Sequence, residues 1–174
     1  MARTKKMVDE IIKNAEYATK NEALHGAWIE NGCQYCTDGY RAVMLYEPVE
    51  TKERDNDCTL SVHKIITDAE MECTETVALP NAKEIREQLK NLIGRKYRSY
   101  GVLYRLADDY NLASVNAKYL VECMEAIGAT ELRYNPKRPK NGALYMETKL
   151  GKAILLPVYN PTEKVGYWSI EIGR

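Results

Sequence analysis

Thr37-Asp38-Gly39-Tyr40-Arg41 is the stretch whose residue types and spacing are best suited to chemistry. Glycine takes positive backbone angles at little cost, and Thr and Asp side chains bond their own backbone, so Thr37-Asp38-Gly39 predicts a tight turn. That turn delivers Tyr40 and Arg41 to the head of a strand with alternating faces: Tyr40, Ala42, Met44 and Tyr46 on one side, Arg41, Val43 and Leu45 on the other. Just upstream, Cys33 and Cys36 form a Cys-x-x-Cys pair, and Cys58 and Cys73 would complete a set of zinc ligands. Residues three apart on a strand face opposite sides, however, and Cys58 and Cys73 lack the second close pair, so packed free thiols are expected and no metal. His25 and His63 are the only histidines. No Gly-x-Ser-x-Gly, His-Glu-x-x-His or glycine-rich phosphate loop occurs, so no nucleophile meets a base, and neither an enzyme nor a cofactor is expected.

The elements that must carry this stretch are bounded by composition. With 174 residues, 45% of them apolar, the chain can bury a core without help. Its 25 basic and 25 acidic residues cancel, so any positive surface must be local. Thirteen tyrosines and two tryptophans, with no phenylalanine, suit half-buried strands and interfaces where a ring is dry and its tip wet. The longest apolar run, Ala153 to Val158, holds a proline and is far short of the ~20 residues of a membrane span. Five cysteines without dense spacing fit a reducing compartment. A cytoplasmic protein with no membrane contact is expected.

Along the chain, Met7, Val8, Ile11, Ile12, Ala15 and Ala18 predict an amphipathic helix from Thr4, its N-cap, to about Thr19. Leu24 to Glu30 reads as a strand, Asn31-Gly32 as a hairpin turn, and Cys33 to Thr37 as the return, before the strand through Tyr46. Residues 47–76 form an acidic connection, with one further strand predicted at Leu60 to Ile66. Asn81 caps an extra helix over 80–94, with Ile85, Leu89, Leu92 and Ile93 inward and Gly94 at its end. Tyr100 to Leu106 reads as a strand. A helix from Asn116 to Ile127 follows, with Glu122 and Glu125 expected on its outer face. Thr130 to Tyr134, Ala143 to Thr148 and Ala153 to Val158 predict three more strands, and 165–172 a last one.

Residues 4–46 and the later part of 100–158 share one grammar, a helix followed by three antiparallel strands. Two such units can join edge to edge into one sheet with both helices packed on one side. The expected fold class is therefore α+β, as a single domain over residues 1–174.

Val115-Asn116-Ala117-Lys118-Tyr119-Leu120-Val121-Glu122-Cys123-Met124-Glu125-Ala126-Ile127, followed by Ile154-Leu155-Leu156-Pro157-Val158, resembles the last part of the bacterial DNA polymerase III sliding clamp, the beta subunit. Thr37-Asp38-Gly39-Tyr40-Arg41 is similar to that family's Thr-Asp-Gly-His-Arg, with tyrosine for histidine. The resemblance implies a DNA-clamp fold, in a family whose repeated domains form a ring of six with helices lining a DNA channel. It also implies a groove for short peptides of DNA polymerase or other replication and repair proteins, bounded by Thr37, Tyr40, Arg41 and Ala42 on one side and Leu155, Leu156, Pro157 and Val158 on the other. Apolar strand ends with Arg41 at the rim would suit a hydrophobic peptide with an acidic or polar flank. Leu156 replaces the family's methionine, and the chain runs on past Tyr159, so its tail could cover the groove or add a strand.

Double-stranded DNA would require basic helices. Lys83, Arg86 and Lys90, followed by Arg95, Lys96 and Arg98, form one basic cluster; Arg133, Lys137, Arg138 and Lys140 form another. Glu122 and Glu125, if outward, would repel phosphate. The expectation is a non-catalytic, sliding-clamp-like protein that binds replication or repair proteins and could bind DNA as a homo-oligomer. The alternative is a monomeric clamp-fold adaptor or inhibitor, suited to a phage or mobile element, that does not bind DNA.

Overall fold

The computed structural model describes residues 1–55, 61–93, 103–105, 113–158 and 169–170. In chain order the elements are α1 (Ala2–Ala18), a 3-10 turn (Glu22–Leu24), β1 (Trp28–Glu30), β2 (Cys33–Thr37), β3 (Arg41–Leu45), α2 (Val62–Glu72), β4 (Glu75–Ala78) and α3 (Ala82–Ile93). They continue with β5 (Leu103–Arg105), β6 (Ser114–Asn116), α4 (Ala117–Ile127), β7 (Glu131–Tyr134), β8 (Leu144–Thr148), β9 (Gly151–Leu155) and β10 (Ser169–Ile170). The fold class is α+β.

Seven strands form one antiparallel sheet in the order β1-β2-β3-β9-β8-β7-β4. The two helix-and-three-strand units meet at its centre, where β3 pairs with β9 from Arg41 opposite Leu155 to Leu45 opposite Gly151. A Cβ at Gly151 would lie 2.0 Å from the Met44 carbonyl oxygen, so this seam closes only over a glycine. On one face, Val43 and Leu45 of β3 join Leu144, Met146, Ala153 and Leu155 beneath the apolar stripes of α1, α3 and α4. α4 packs against both α1 and α3 and is buried at every position from Leu120 to Ile127. Asn116 caps it through bonds from the Lys118 and Tyr119 N–H groups, and Gly128, at φ +72°, ends it.

The other face of the sheet, with Trp28, Tyr35, Ala42, Met44, Tyr145 and Ile154, is covered by Val62, Ile66 and Ala69 of α2. Burying such side chains contributes roughly 1.5–3 kcal/mol each, so β3, buried on both faces, is held by two apolar layers. A second sheet has the order β10-β5-β6. Its Ser169–Ile170 strand is the described part of the expected 165–172 strand and pairs parallel with β5.

Several expectations are corrected. Helix α1 begins at Ala2, with Met1 rather than Thr4 at its N-cap; Thr4 extends the inward stripe one turn ahead of Met7 and Val8. The strand expected from Leu24 starts at Trp28, after the 3-10 turn and Gly26, where a Cβ would meet the Arg54 backbone nitrogen at 2.4 Å. The strand expected at Leu60 to Ile66 is instead helix α2. Val62, Ile66 and Ala69 recur at helical spacing, and the Ser61 hydroxyl accepts from the Lys64 N–H as a cap. α2 also departs from the expectation that helices occupy one side only. Among the described residues, no helix is long and apolar enough to cross a membrane.

Candidate peptide-binding site

The turn that opens β3 is built by its own side chains. Asp38 Oδ1 accepts from the N–H groups of Tyr40 and Arg41 at 3.0 and 3.1 Å. Thr37 Oγ1 donates to the Arg41 carbonyl at 2.6 Å and accepts from the Gly39 N–H at 3.1 Å. Gly39, at φ +87°, supplies the reversal that a side chain would resist. The turn therefore presents Tyr40 outward, 52% exposed, and Arg41 inward, 2% exposed.

The far stretch arrives beside it through the sheet. The Leu156 N–H donates to the Tyr40 carbonyl at 2.9 Å, extending the β3 and β9 ladder by one bond beyond Leu155. Two residues on, the Val158 N–H donates to the Ser114 carbonyl at 2.8 Å, which ties the segment to β6 and the cap of α4. Leu156 is 42% exposed, and Pro157 and Val158 are half-buried. Thr37, Arg41, Ala42 and Leu155 are buried, so of the eight residues expected to bound a groove only Tyr40, Leu156, Pro157 and Val158 offer side-chain surface.

Arg41 does not stand at a rim. Its Nε donates to Asp38 Oδ2 at 3.0 Å, its Nη1 donates to Glu122 Oε2, and its guanidinium lies 4.3 Å from the centre of the Tyr119 ring. Burial works against its charge, but the Asp38 and Glu122 carboxylates outweigh that and raise its pKa above the ordinary value. Asn14 of α1 completes the arrangement, donating to Asp38 Oδ2 at 2.8 Å and to the Tyr119 hydroxyl at 3.2 Å. The Tyr119 ring meets both Arg41 and Tyr40, with its centre 6.0 Å from that of Tyr40. Asn14 and Tyr119 escape a reading of the two motifs alone. The available signal is that Tyr119 follows the capping Asn116 by nearly one helical turn, on the side of α4 nearest the turn.

Glu122 and Glu125, expected outward, are both buried and paired. Glu122 meets Arg41, with Lys118 Nζ at 3.7 Å, and Glu125 meets Arg3 and Arg86. Flanking by α1 and α3 leaves α4 little outer face, so a carboxylate there is accepted only with its cations. The expected repulsion of phosphate by these two groups does not arise.

The described members of the two basic clusters lie on opposite sides of the large sheet. Arg86 of α3, on the three-helix side, is spent on Glu125 at 2.8 and 2.5 Å; Lys83 and Lys90 are exposed, with Glu87 4.0 Å from Lys83. Arg133 stacks on Tyr145 at 4.5 Å and meets Glu147 at 2.9 Å on the α2 side, and Arg138 meets Glu72 of α2 at 2.9 Å. Lys137 and Lys140 are exposed on the intervening loop. Arg95, Lys96 and Arg98 lie outside the described residues, as does Cys58. Cys33 packs towards the α2 side and Cys36 towards the three-helix side, while the Cys73 thiol donates to the Ala143 carbonyl at 3.2 Å. No group of three or more candidate ligands gathers among the described residues.

No protein-family model matches the sequence, and no curated protein does. Solved structures match its shape. The Helicobacter pylori beta clamp bound to a DNA ligase peptide aligns with a TM-score of 0.61 at 14% identity, covering 91% of this chain and 63% of the clamp chain. The DNA polymerase III beta subunit of Thermotoga maritima gives 0.55 at 15% identity over 90% of this chain and 63% of that one. The beta subunit of Borrelia burgdorferi, solved with a natural product, gives 0.53 at 11% identity, again over 90% and 63%. The chain thus has the fold of bacterial sliding clamps and spans just under two thirds of the length of these clamp chains.

Proposed function

We propose that this chain is a non-catalytic protein of sliding-clamp fold that holds a short hydrophobic peptide of a replication or repair protein along Tyr40, Leu156, Pro157 and Val158. One observation carries the reading: Tyr40 and Leu156, large and exposed, are locked side by side by the bond from the Leu156 N–H to the Tyr40 carbonyl. An apolar strip on rigid backbone immobilises few side chains when a peptide docks, which favours binding. That the Helicobacter pylori clamp, which shares the fold, binds a DNA ligase peptide supports a peptide ligand. Because Arg41 is already paired, an acidic flank on the ligand gains nothing from it.

A fluorescently labelled copy of that DNA ligase peptide, titrated with the protein, tests the site. Tyr40→Ala and Leu156→Ala should each weaken binding about tenfold, the usual scale for a central contact. Lys137→Ala, outside the strip, should leave it unchanged. Equal binding by all three variants and the wild type would refute the assignment.

A second reading, a clamp-fold adaptor that does not engage DNA, is favoured by the commitment of Arg86, Arg133 and Arg138 to carboxylates and by their division between two sides of the sheet.

A further inference from the structure

The two ends of the large sheet are not alike. At the β1 end, Ala27 donates its N–H to the Lys52 carbonyl at 2.9 Å and accepts from the Arg54 N–H at 3.0 Å, while the Arg54 guanidinium covers Trp28 at 4.2 Å. The Asn31-Gly32 turn, with φ of 52° and 79°, sets Glu30 opposite Cys33, and Trp28 and Glu30 turn their backbone groups toward β2. Beyond Ala27, only Ile29 of β1 aims its backbone groups outward, too little for another strand.

At the other end β4 is open among the described residues. The Leu79 N–H donates to the Thr130 carbonyl at 2.8 Å, in the same register that sets Val77 opposite Leu132 and Glu75 opposite Tyr134. Antiparallel alternation therefore turns the N–H and C=O of Thr76 and Ala78 away from the sheet. Glu75, Thr76 and Ala78 are exposed, and among the described residues no strand pairs with that side. Unpaired edges of this kind are templates for another strand.

We propose that β4 pairs antiparallel with β4 of a second copy of this chain, about a two-fold axis at Val77. The edge is self-complementary in that register. Thr76 exchanges both backbone bonds with Ala78 of the second copy, and Ala78 with its Thr76. Val77 meets Val77 in the close, non-hydrogen-bonded position, where β-branched pairs pack well. Val77 is half-buried against the three-helix layer with Leu79 and Ala82, so the pair continues that layer across the axis. Glu75 falls opposite Leu79, and no like charges are opposed. A register centred on Ala78 would set Thr76 against Pro80, which has no N–H to donate. A head-to-tail ring would need the β1 end, already occupied at Ala27; a two-fold dimer uses the open edge alone.

Sedimentation velocity from micromolar to near-millimolar protein should show a monomer and dimer in exchange. Thr76→Pro removes an N–H that β7 does not use, so the dimer should be lost while the circular dichroism spectrum stays that of the wild type. Val77→Cys sets two thiols across the axis at a Cα separation of about 4.5 Å, within disulfide reach. Mild oxidation should convert this variant into a covalent dimer that reductant releases, whereas the wild type and Ile29→Cys, treated alike, should not cross-link. A strict monomer, a six-copy mass, a dimer that survives Thr76→Pro, or failure of Val77→Cys to cross-link overturns the proposal. If Thr76→Pro perturbs the fold, the Val77→Cys result decides. The inference does not depend on the peptide strip, which Tyr40→Ala tests without touching β4.

Discussion

Arg41 is the residue on which the site turns, because its side chain and that of Asp38 are fully buried and that of Glu122 nearly so. Breaking a buried ion pair by removing one partner strands the other charge, which costs about 3–5 kcal/mol. Arg41→Met, similar in length and uncharged, should therefore lower the unfolding free energy by about that amount, measured by urea denaturation. A loss below about 1 kcal/mol, the scale of an exposed pair, would show that Arg41 is not holding the two carboxylates. Cys36 and Cys123 sit close enough to feel this charge. Burial pushes both thiols up to about 12, and Arg41 only partly offsets it, so they serve as packed apolar groups.

Among the elements, α1, α3 and α4 converge on Glu125, which accepts from Arg3 of α1 and from Arg86 of α3. Burial alone would raise its pKa, but the bonds from Arg86 and Arg3 outweigh burial and hold it below the ordinary 4.5. A carboxylate depressed in the folded state adds stability that is complete above its unfolded pKa and is lost as pH falls through the folded one. The stability gap between wild type and Glu125→Gln should therefore be widest near neutral pH and shrink on acidification below about pH 4. Urea midpoints across a pH series would show it; a constant gap would mean that the three helices are not joined through this charge. The same packing explains why the outward assignment of Glu122 and Glu125 fails. Heptad-like spacing marks the inward side of a single helix but is blind to the neighbours that cover its flanks.

For the molecule as a whole, net charge is zero, and the described basic clusters fall on opposite sides of one sheet. Phosphate binding that spans several contacts needs cations on one face, and each neutralised phosphate adds about 0.9 to the slope of log affinity against log salt. Fluorescence anisotropy with duplex DNA should thus give weak binding at low salt and a slope of about 2 or less. A slope near 6 would restore a DNA-facing surface. The clamp fold itself does not decide this, since the same architecture can carry different surfaces.

Local chemistry by itself determined much of this protein. The Thr37-Asp38-Gly39 turn, the Asn31-Gly32 hairpin, the Asn116 cap, the Gly128 stop and the repeated helix-and-strand units are all legible, because turns and caps are satisfied by neighbours in the chain. The pairing of strand ends far apart in sequence was legible only through the resemblance of their motifs. Three-dimensional packing decided the rest. Leu60 to Ile66 is too short a stretch for its spacing of apolar residues to distinguish strand from helix until a sheet face lies beneath Val62 and Ile66. Arg41 could serve a ligand or the core until Glu122 arrived from α4, many residues away. Whether Arg86 and Arg133 share a surface depends on which side of the sheet each element packs, and no local spacing carries that information.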